Sequence, residues 1–446
     1  MPTSQPALGP QAPAPITEPP VQWSLVTRVG FRFVFAYFVF YSFPFPITWI
    51  PYTDYLASKY SELFSWLVPW TGKHILHIQY PIAEVFTGSG DTTFNYVMAL
   101  LTLFVAVVAT VIWSLLDRRR PSYQKLHQWF RVYLRFVLLT AMIAYGSDKV
   151  IKTQFPNLRL SDLMTTYGQS TPMHLLWAFM GASKSYNFFA GGMEVLGGIL
   201  LIVPRLTLLG SLVSIAAVTQ VFVLNMCYDV PVKLYSFHLL VMGTILAAPD
   251  LPRLARVLVF NRPVPARNDR ALFQRKWLNY GLLGVQFVFG LYILGLNLYQ
   301  GQKLYNTSGD GAPKLAIRGI WMVDEFSADG QAQPPSLSGQ ARWQQVIFDD
   351  YYEMLIQSNN GWRQRYRQTV DMAKKTVLIW KREDQRPRQP QFGYEMPNPD
   401  SLILDGQFDG RHIHAQLRRL PEPNFMLTSR GFHWINEYPF NRFDEH

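Results

Sequence analysis

Hydrophobic residues fall into two textures along this chain. Up to about residue 299 they form long blocks: Leu25 to Ile47, Phe94 to Leu116, Leu126 to Tyr145, Phe188 to Pro204, Leu206 to Met226, Leu234 to Ala248 and Trp277 to Leu298. As helices, most of these reach across a hydrocarbon core of about 30 Å, whereas the fourth and sixth are marginal. From about Lys303 the blocks give way to short alternating runs, GIWMVDEF, WQQVIFD, YEMLIQS, RQRYRQTVDM, KTVLIWKR, LILDGQF, RHIHAQLRRL and FHWINEY, divided by Asn-Asn-Gly, Asp-Gly and Pro-rich turns. A period of two belongs to strands. The pattern therefore predicts an α-helical transmembrane bundle of about seven spans, residues 21–299, followed by a C-terminal antiparallel β-barrel or sandwich, residues 300–446. Residues 1–20, Pro-rich and nearly uncharged, read as a disordered tail. They lack the basic start and apolar core of a cleavable signal peptide, which leaves the first span as an uncleaved insertion signal.

Composition supports the division. The 446 residues are 49% hydrophobic, 15% aromatic and only 16% charged, below the charged share of soluble domains. Mean hydropathy is nevertheless +0.03, so a polar region must offset the apolar blocks. A net charge of +11 in a soluble protein would suggest nucleic acid as a partner. Here the cations lie in short loops beside spans: Arg118, Arg119, Arg120 and Lys125 after the second, and Arg253, Arg256, Arg262, Arg267, Arg270, Arg275 and Lys276 between the sixth and seventh. These loops are expected to be cytoplasmic, which makes the partner a bilayer and excludes nucleic acid. The N-terminus then lies in the cytoplasm, the loops at 48–93, 149–187 and 227–233 lie outside, and an odd number of spans puts the strand-rich domain outside a bacterial inner membrane. Trp66, Trp70 and Tyr80 in the first outer loop predict re-entrant or amphipathic segments at the interface. The single cysteine, Cys227, excludes an intrachain disulfide, a CxxC redox pair and a Cys-rich metal site.

Several polar residues inside or beside the spans are candidates for chemistry. Glu194 lies mid-span with Gly191, Gly197 and Gly198 three or four residues away, so its carboxyl shares a face that a neighbouring helix can approach closely. It suits a proton or ligand site, or a buried hydrogen bond that sets packing. Asn225, Asp229, Lys233 and His238 flank a break at Pro231, where freed backbone groups could line a polar cavity; alternatively Asp229 and Lys233 pair with each other. Thr207, Ser211, Ser214 and Asn225 form one helical stripe facing the bundle interior. Two i, i+4 pairs, Arg28 with Arg32 and Arg131 with Arg135, could bind an anionic lipid headgroup or snorkel to phosphates. His74 and His77 are spaced for one helical face and, with Glu84 and Asp91, offer weak metal donors, although no metal template is completed. Gly88 to Asp91, GSGD, reads as a turn and N-cap before the second span. His412, His414 and His433 read as ordinary sheet residues.

Two stretches carry resemblances. Gly319 and Trp321, a Gly-x-Trp opening the first strand, resemble the start of a lipocalin-like barrel, which implies either a ligand pocket or a packed barrel whose Trp caps the core. GGMEVLGGILLIVPRLTLLGSL, Gly191 to Leu212, resembles the DoxX-like membrane proteins, and NMCYDVPVKLYSFHLLVMG, Asn225 to Gly243, is similar to a stretch of their larger members. The likeness spans about residues 130–250. It implies the membrane subunit of a redox assembly, with possible partner subunits, handling a quinone or small sulfur compound; other relatives are assigned to oxidant defence or secretory cargo handling, and no cofactor is specified. A more distant likeness to vitamin K-dependent carboxylase-like domains would make Lys149, Lys152, Lys184 or Lys233 a base. The alternative is a non-enzymatic scaffold or carrier whose external barrel binds a lipid-like ligand or secreted partner.

Overall fold

The structure, a computed structural model, describes residues 22–84, 88–265, 271–335, 342–349, 353–381, 384, 387, 391–421 and 425–438. The tail at 1–20 lies outside the described residues, as do Arg267 and Arg270. The helices are α1 (Leu25–Ser42), α2 (Asp54–His74), α3 (Thr93–Leu116), α4 (Gln124–Val150), α5 (Leu160–Leu163), α6 (Pro172–Ala182), α7 (Lys184–Ile202), α8 (Thr207–Cys227), α9 (Lys233–Ala247), α10 (Leu251–Leu258), α11 (Lys276–Ser308) and α12 (Met426–Ser429). Among the described residues seven helical segments are long and apolar enough to cross a membrane: Leu25–Trp49, Thr93–Leu116, Gln124–Val150, Lys184–Ile202, Pro204–Cys227, Lys233–Leu258 and Lys276–Ser308. The protein is an integral, multi-pass membrane protein with a C-terminal barrel. The sixth segment is no longer short, because a 3-10 turn at Ala248–Asp250 carries it on into α10. The seventh helix runs to Ser308, past the expected boundary near 300. Hydropathy stops at Leu298, but the polar run that follows contains no proline, and its one glycine, Gly301, does not end the helix.

The chain divides into two units, one comprising residues up to Leu139 with Leu201–Ser211 and Pro231–Val288, the other Thr140–Leu200 with Leu212–Val230 and residues from Phe289 onward. In the first unit α1 packs on α3, whose buried Val97, Thr102, Ala106 and Thr110 recur every four or five residues and so lie along one stripe. The amphipathic element expected in the first loop is α2, which buries Val68 and Thr71 and exposes Tyr55, Leu56, Leu63, Trp66 and Trp70.

In the second unit α4 crosses α7 with their backbones in contact. A Cβ on Gly191 would come within 2.6 Å of the Gly146 carbonyl oxygen, and one on Gly146 within 2.8 Å of the Gly191 carbonyl oxygen. Only glycine permits this approach, because the obstructing atoms are main chain. Gly197 meets a different neighbour: its missing Cβ would lie 2.7 Å from Ser214 Oγ on α8. The small face around Glu194 thus serves two helices.

The strand-rich domain is a closed barrel. Its strands are β1 (Gly319–Ala328), β2 (Gln331–Ala332), β3 (Trp343–Phe348), β4 (Glu353–Ser358), β5 (Arg363–Asp371), β6 (Thr376–Trp380), β7 (Phe392–Asn398), β8 (Ser401–Phe408) and β9 (Arg411–Leu420). They follow the order β2-β1-β3-β4-β5-β6-β7-β8-β9, and β9 pairs antiparallel with β1, so eight strands close and the two-residue β2 extends one end. Closure leaves no edge to extend. This is why FHWINEY, expected as a strand, is none in its described residues. Conversely β7, whose FGYEMPN includes Gly and Pro, is a strand that the alternation did not mark.

The barrel interior is filled with side chains, among them Trp321, Trp343, Phe348, Phe392, Leu402 and Leu404. Trp321 has no exposed surface, donates its Nε1–H to the Ile317 carbonyl at 2.9 Å and carries the Arg419 guanidinium over its ring. Of the two readings of Gly-x-Trp, the packed core is the observed one. Ile320, Ile347 and Leu355 point the other way and form a second buried cluster with Leu160. That outer patch explains why these strands do not alternate strictly.

The cover over the patch is the segment that follows α4. Asp349, 1% exposed, accepts the Leu160 N–H at 3.0 Å and the Ser161 N–H at 2.9 Å. Arg365 pairs with Asp162 at 3.0 Å, Arg159 with Glu353, and Arg363 donates to the Met164 carbonyl at 2.6 Å. The segment is strapped to the barrel by both apolar contact and charge.

Candidate functional site

Glu194 and Lys149 form an ion pair within the second unit. Lys149 Nζ lies 2.8 Å from Glu194 Oε2, and the two side chains are only 7% and 6% exposed. Gly146 and Gly191, each three residues from one partner on the same helix, bring α4 and α7 close enough for this short contact. The Lys149 ammonium also lies 5.7 Å from the Tyr145 ring centroid. A carboxylate and an ammonium held together where two candidate spans touch can polarise a ligand oxygen or exchange a proton with it, or fix the packing of the two helices. Glu194 is half of this arrangement as read from the sequence. Its partner lies 45 positions away, where the sequence offers Lys149 only as a lone base.

Asn225, buried, ends α8 by accepting the Val230 N–H on its carbonyl at 3.0 Å. Asp229 turns the chain there with a positive φ of 52°, a conformation Asp tolerates better than most residues. The stripe of Thr207, Ser211, Ser214 and Asn225 is buried throughout, as its periodicity requires.

Lys233 and His238 are held within the first unit by residues from other elements. The Asp91 carboxylate accepts the N–H groups of Lys233 at 2.8 Å and Leu234 at 2.9 Å, with the Lys233 ammonium 3.9 Å away. The GSGD turn therefore caps α9, and Thr92 caps α3 by accepting the Asn95 N–H. The expectation that GSGD caps the second span is corrected: a carboxylate satisfies free amides wherever packing brings a helix start to it. Replacing Asp91 with Ala should lower stability by about 1–2 kcal/mol, whereas Asn should retain most of it; the thermal midpoint of the two purified variants in lipid decides this.

His238 Nδ1 lies 2.7 Å from the Leu234 carbonyl, which can only accept, so Nδ1 carries the proton and Nε2 accepts from the Tyr37 hydroxyl at 2.6 Å. The imidazole stacks on Tyr41 with ring centroids 3.9 Å apart and planes 4° from parallel. Tyr37 and Tyr41, one turn apart on α1, complete a Tyr–His–Tyr group that no motif announced.

Arg32 and Arg135 are buried among protein acceptors, where neither a headgroup nor the membrane surface reaches them, whereas Arg28 and Arg131 are half-buried. Arg32 is 2% exposed and donates to Tyr123 Oη, Ser114 Oγ and the Asp117 carbonyl. Arg135, also buried, donates to Gln286 Oε1 and, at 3.5 Å, to Thr207 Oγ1. Arg28 donates to the Arg118 and Arg120 carbonyls, and Arg131 to the Leu246 carbonyl, with Asp250 Oδ2 3.8 Å away. Each guanidinium donates to protein acceptors on other elements, which its planar fork of donors suits.

His77 does not share a helical face with His74. α2 ends at His74, whose ring lies 5.3 Å from that of Trp70 at a tilt of 38°, and His77 follows in a left-handed turn with φ of 53°. Among the described residues no group of three or more His, Cys, Asp or Glu side chains could hold a metal. In the barrel, His412 and His414 on β9 both reach Asp405 on β8, as sheet neighbours do.

No family model matches the chain, and no solved structure matches it. The uncharacterized protein YwoB of Bacillus subtilis (strain 168) is 31% identical over 132 residues, which amount to 30% of this chain and 81% of YwoB. With that much of the relative's length matched, this chain belongs to the same protein family as YwoB.

Proposed function

We infer that the protein is a DoxX-like member of the bacterial inner membrane and acts as the membrane subunit of a redox assembly that handles a quinone or a small sulfur compound. The observation that carries this reading is the Lys149–Glu194 pair, buried where α4 and α7 touch and inside the stretch that resembles the DoxX-like proteins. In this reading Lys149 donates to a ligand oxygen as negative charge develops on it, and Glu194 moves the accompanying proton; the electrons come from a partner subunit or the sulfur substrate. The basic residues around Arg118 to Arg120 and Arg253 to Arg256 support a cytoplasmic N-terminus and an extracytoplasmic barrel. A carrier that holds a lipid-like ligand inside its barrel would need the space that Trp321, Trp343 and Phe392 occupy.

The test is purified protein in lipid, assayed for bound quinone and for thiosulfate-dependent quinone reduction with its partners present. Glu194→Gln should abolish most of the reduction while thermal unfolding confirms that the variant is folded. Absence of quinone together with an unchanged rate in the variant would sink the reading.

A further inference from the structure

The headgroup-binding role first expected of the arginines has a better seat in the second unit. Where α4 ends and α7 begins, a cleft of about 680 Å³ opens beside the last turns of α11, lined by Val150, Lys152, Lys184, Phe188, Tyr305 and Asp310 among others. Its volume lies within the range of small-molecule sites. Lys152, in a left-handed conformation with φ of 64°, turns its side chain inward, where the ammonium meets Asn157 Oδ1 at 2.6 Å, the Gly181 carbonyl at 3.2 Å and Asp310 Oδ2 at 4.0 Å. Burial and the nearby Lys184 both pull the Lys152 ammonium below the usual lysine range, against the opposing effect of Asp310.

The Asp310 carboxylate is already engaged by the Asn157 N–H at 3.1 and 3.0 Å. Lys184 is exposed, and among the described residues its ammonium has no hydrogen-bonded or ion-paired partner. The cleft thus holds two cations against one carboxylate that is partly neutralised by amide dipoles. Phe188, exposed one turn into α7, and Val150, the last residue of α4, supply an apolar wall that begins where the spans end. A cationic floor beside an apolar wall at a span terminus matches an amphiphile with an oxyanion head.

We propose that this cleft binds a phosphate-type oxyanion at Lys152 and Lys184, presented by an anionic phospholipid whose acyl chain lies along Phe188. A free oxyanion shares the same head chemistry, so the experiment separates the two sources. The full-length chain is reconstituted in phosphatidylcholine nanodiscs, and binding of a spin-labelled phosphatidylglycerol is compared with that of a spin-labelled phosphatidylcholine, with and without millimolar inorganic phosphate. Phosphatidylglycerol should be preferred by roughly tenfold, a preference that Lys184→Glu abolishes and Lys184→Arg keeps. Lys184 is exposed, so the thermal midpoint should not move, and loss of binding then reports charge and not unfolding.

If millimolar phosphate displaces the labelled lipid and binds in a Lys184-dependent way, the oxyanion site stands and its source is the soluble ion. Equal binding of both lipids, together with phosphate binding that Lys184→Glu leaves unchanged, overturns the proposal. None of these outcomes depends on the redox reading, because no turnover is measured.

Discussion

Glu194→Ala is expected to destabilise the bundle by about 3–5 kcal/mol, the usual cost of leaving one member of a buried ion pair without its partner. The cost arises on Lys149: its ammonium, 2.8 Å from Glu194 in the intact protein and only 7% exposed, would lose its counter-charge. Replacing both residues with apolar ones of similar length, Lys149→Met with Glu194→Leu, should recover most of that loss, because a buried pair is often no more stable than a packed apolar substitute. Thermal unfolding of the two singles and the double in lipid measures the coupling directly. If the singles cost under about 1 kcal/mol each, or simply add in the double, the pair is not a coupled unit. A double that is stable yet inactive would separate structure from function, since packing alone is then intact.

The second large effect is expected at the barrel. Asp349→Ala removes a buried carboxylate that accepts the Leu160 and Ser161 N–H groups, and at roughly 1.5–3 kcal/mol for a hydrogen bond to a charged group it should loosen the strap by about 3 kcal/mol or more. The pairs that remain, Arg159–Glu353 and Arg365–Asp162, are partly exposed and screened by solvent, so they cannot hold the segment at its former strength. Hydrogen exchange should show Leu160 to Met164 losing protection while β6 to β8 keep theirs. Unchanged protection over Leu160 to Met164 would mean that the apolar contact of Leu160 with Ile320, Ile347 and Leu355 is sufficient alone.

These two sites mark where sequence reasoning reached and where it stopped. Glu194 was visible because a carboxyl among glycines in an apolar run is anomalous by itself. Lys149 was visible only as one lysine among four, since nothing local says which cation a carboxylate will meet. Asp349 lay at the end of an ordinary strand, and its role depends on a loop that precedes it by nearly 190 residues. Asp91 shows the same division: its turn was recognised, yet it caps α9 and not the helix that follows it.

The spans and strands themselves were legible because bilayer thickness and the two-residue strand period act on neighbouring positions. A block of about 20 apolar residues is long enough to cross the hydrocarbon core, and alternation puts one face of a pleated strand toward a core. Errors came where a local signal was weak or misleading: the polar end of α11, the Gly- and Pro-bearing β7, and FHWINEY, which alternates like a strand but finds the barrel already closed. The arginines misled for a related reason. Spacing placed Arg28 with Arg32 and Arg131 with Arg135 near helix ends, but only the fold supplies the Tyr123, Asp117, Gln286 and Asp250 groups that receive them. Periodicity and hydropathy are properties of adjacent residues, so the chain alone declared its seven spans, its barrel strands and the oddity of Glu194. Partners are a property of packing: which cation meets Glu194, which aromatic rings bracket His238 and which lysines share a cleft were decided when distant segments came within 3 or 4 Å of one another.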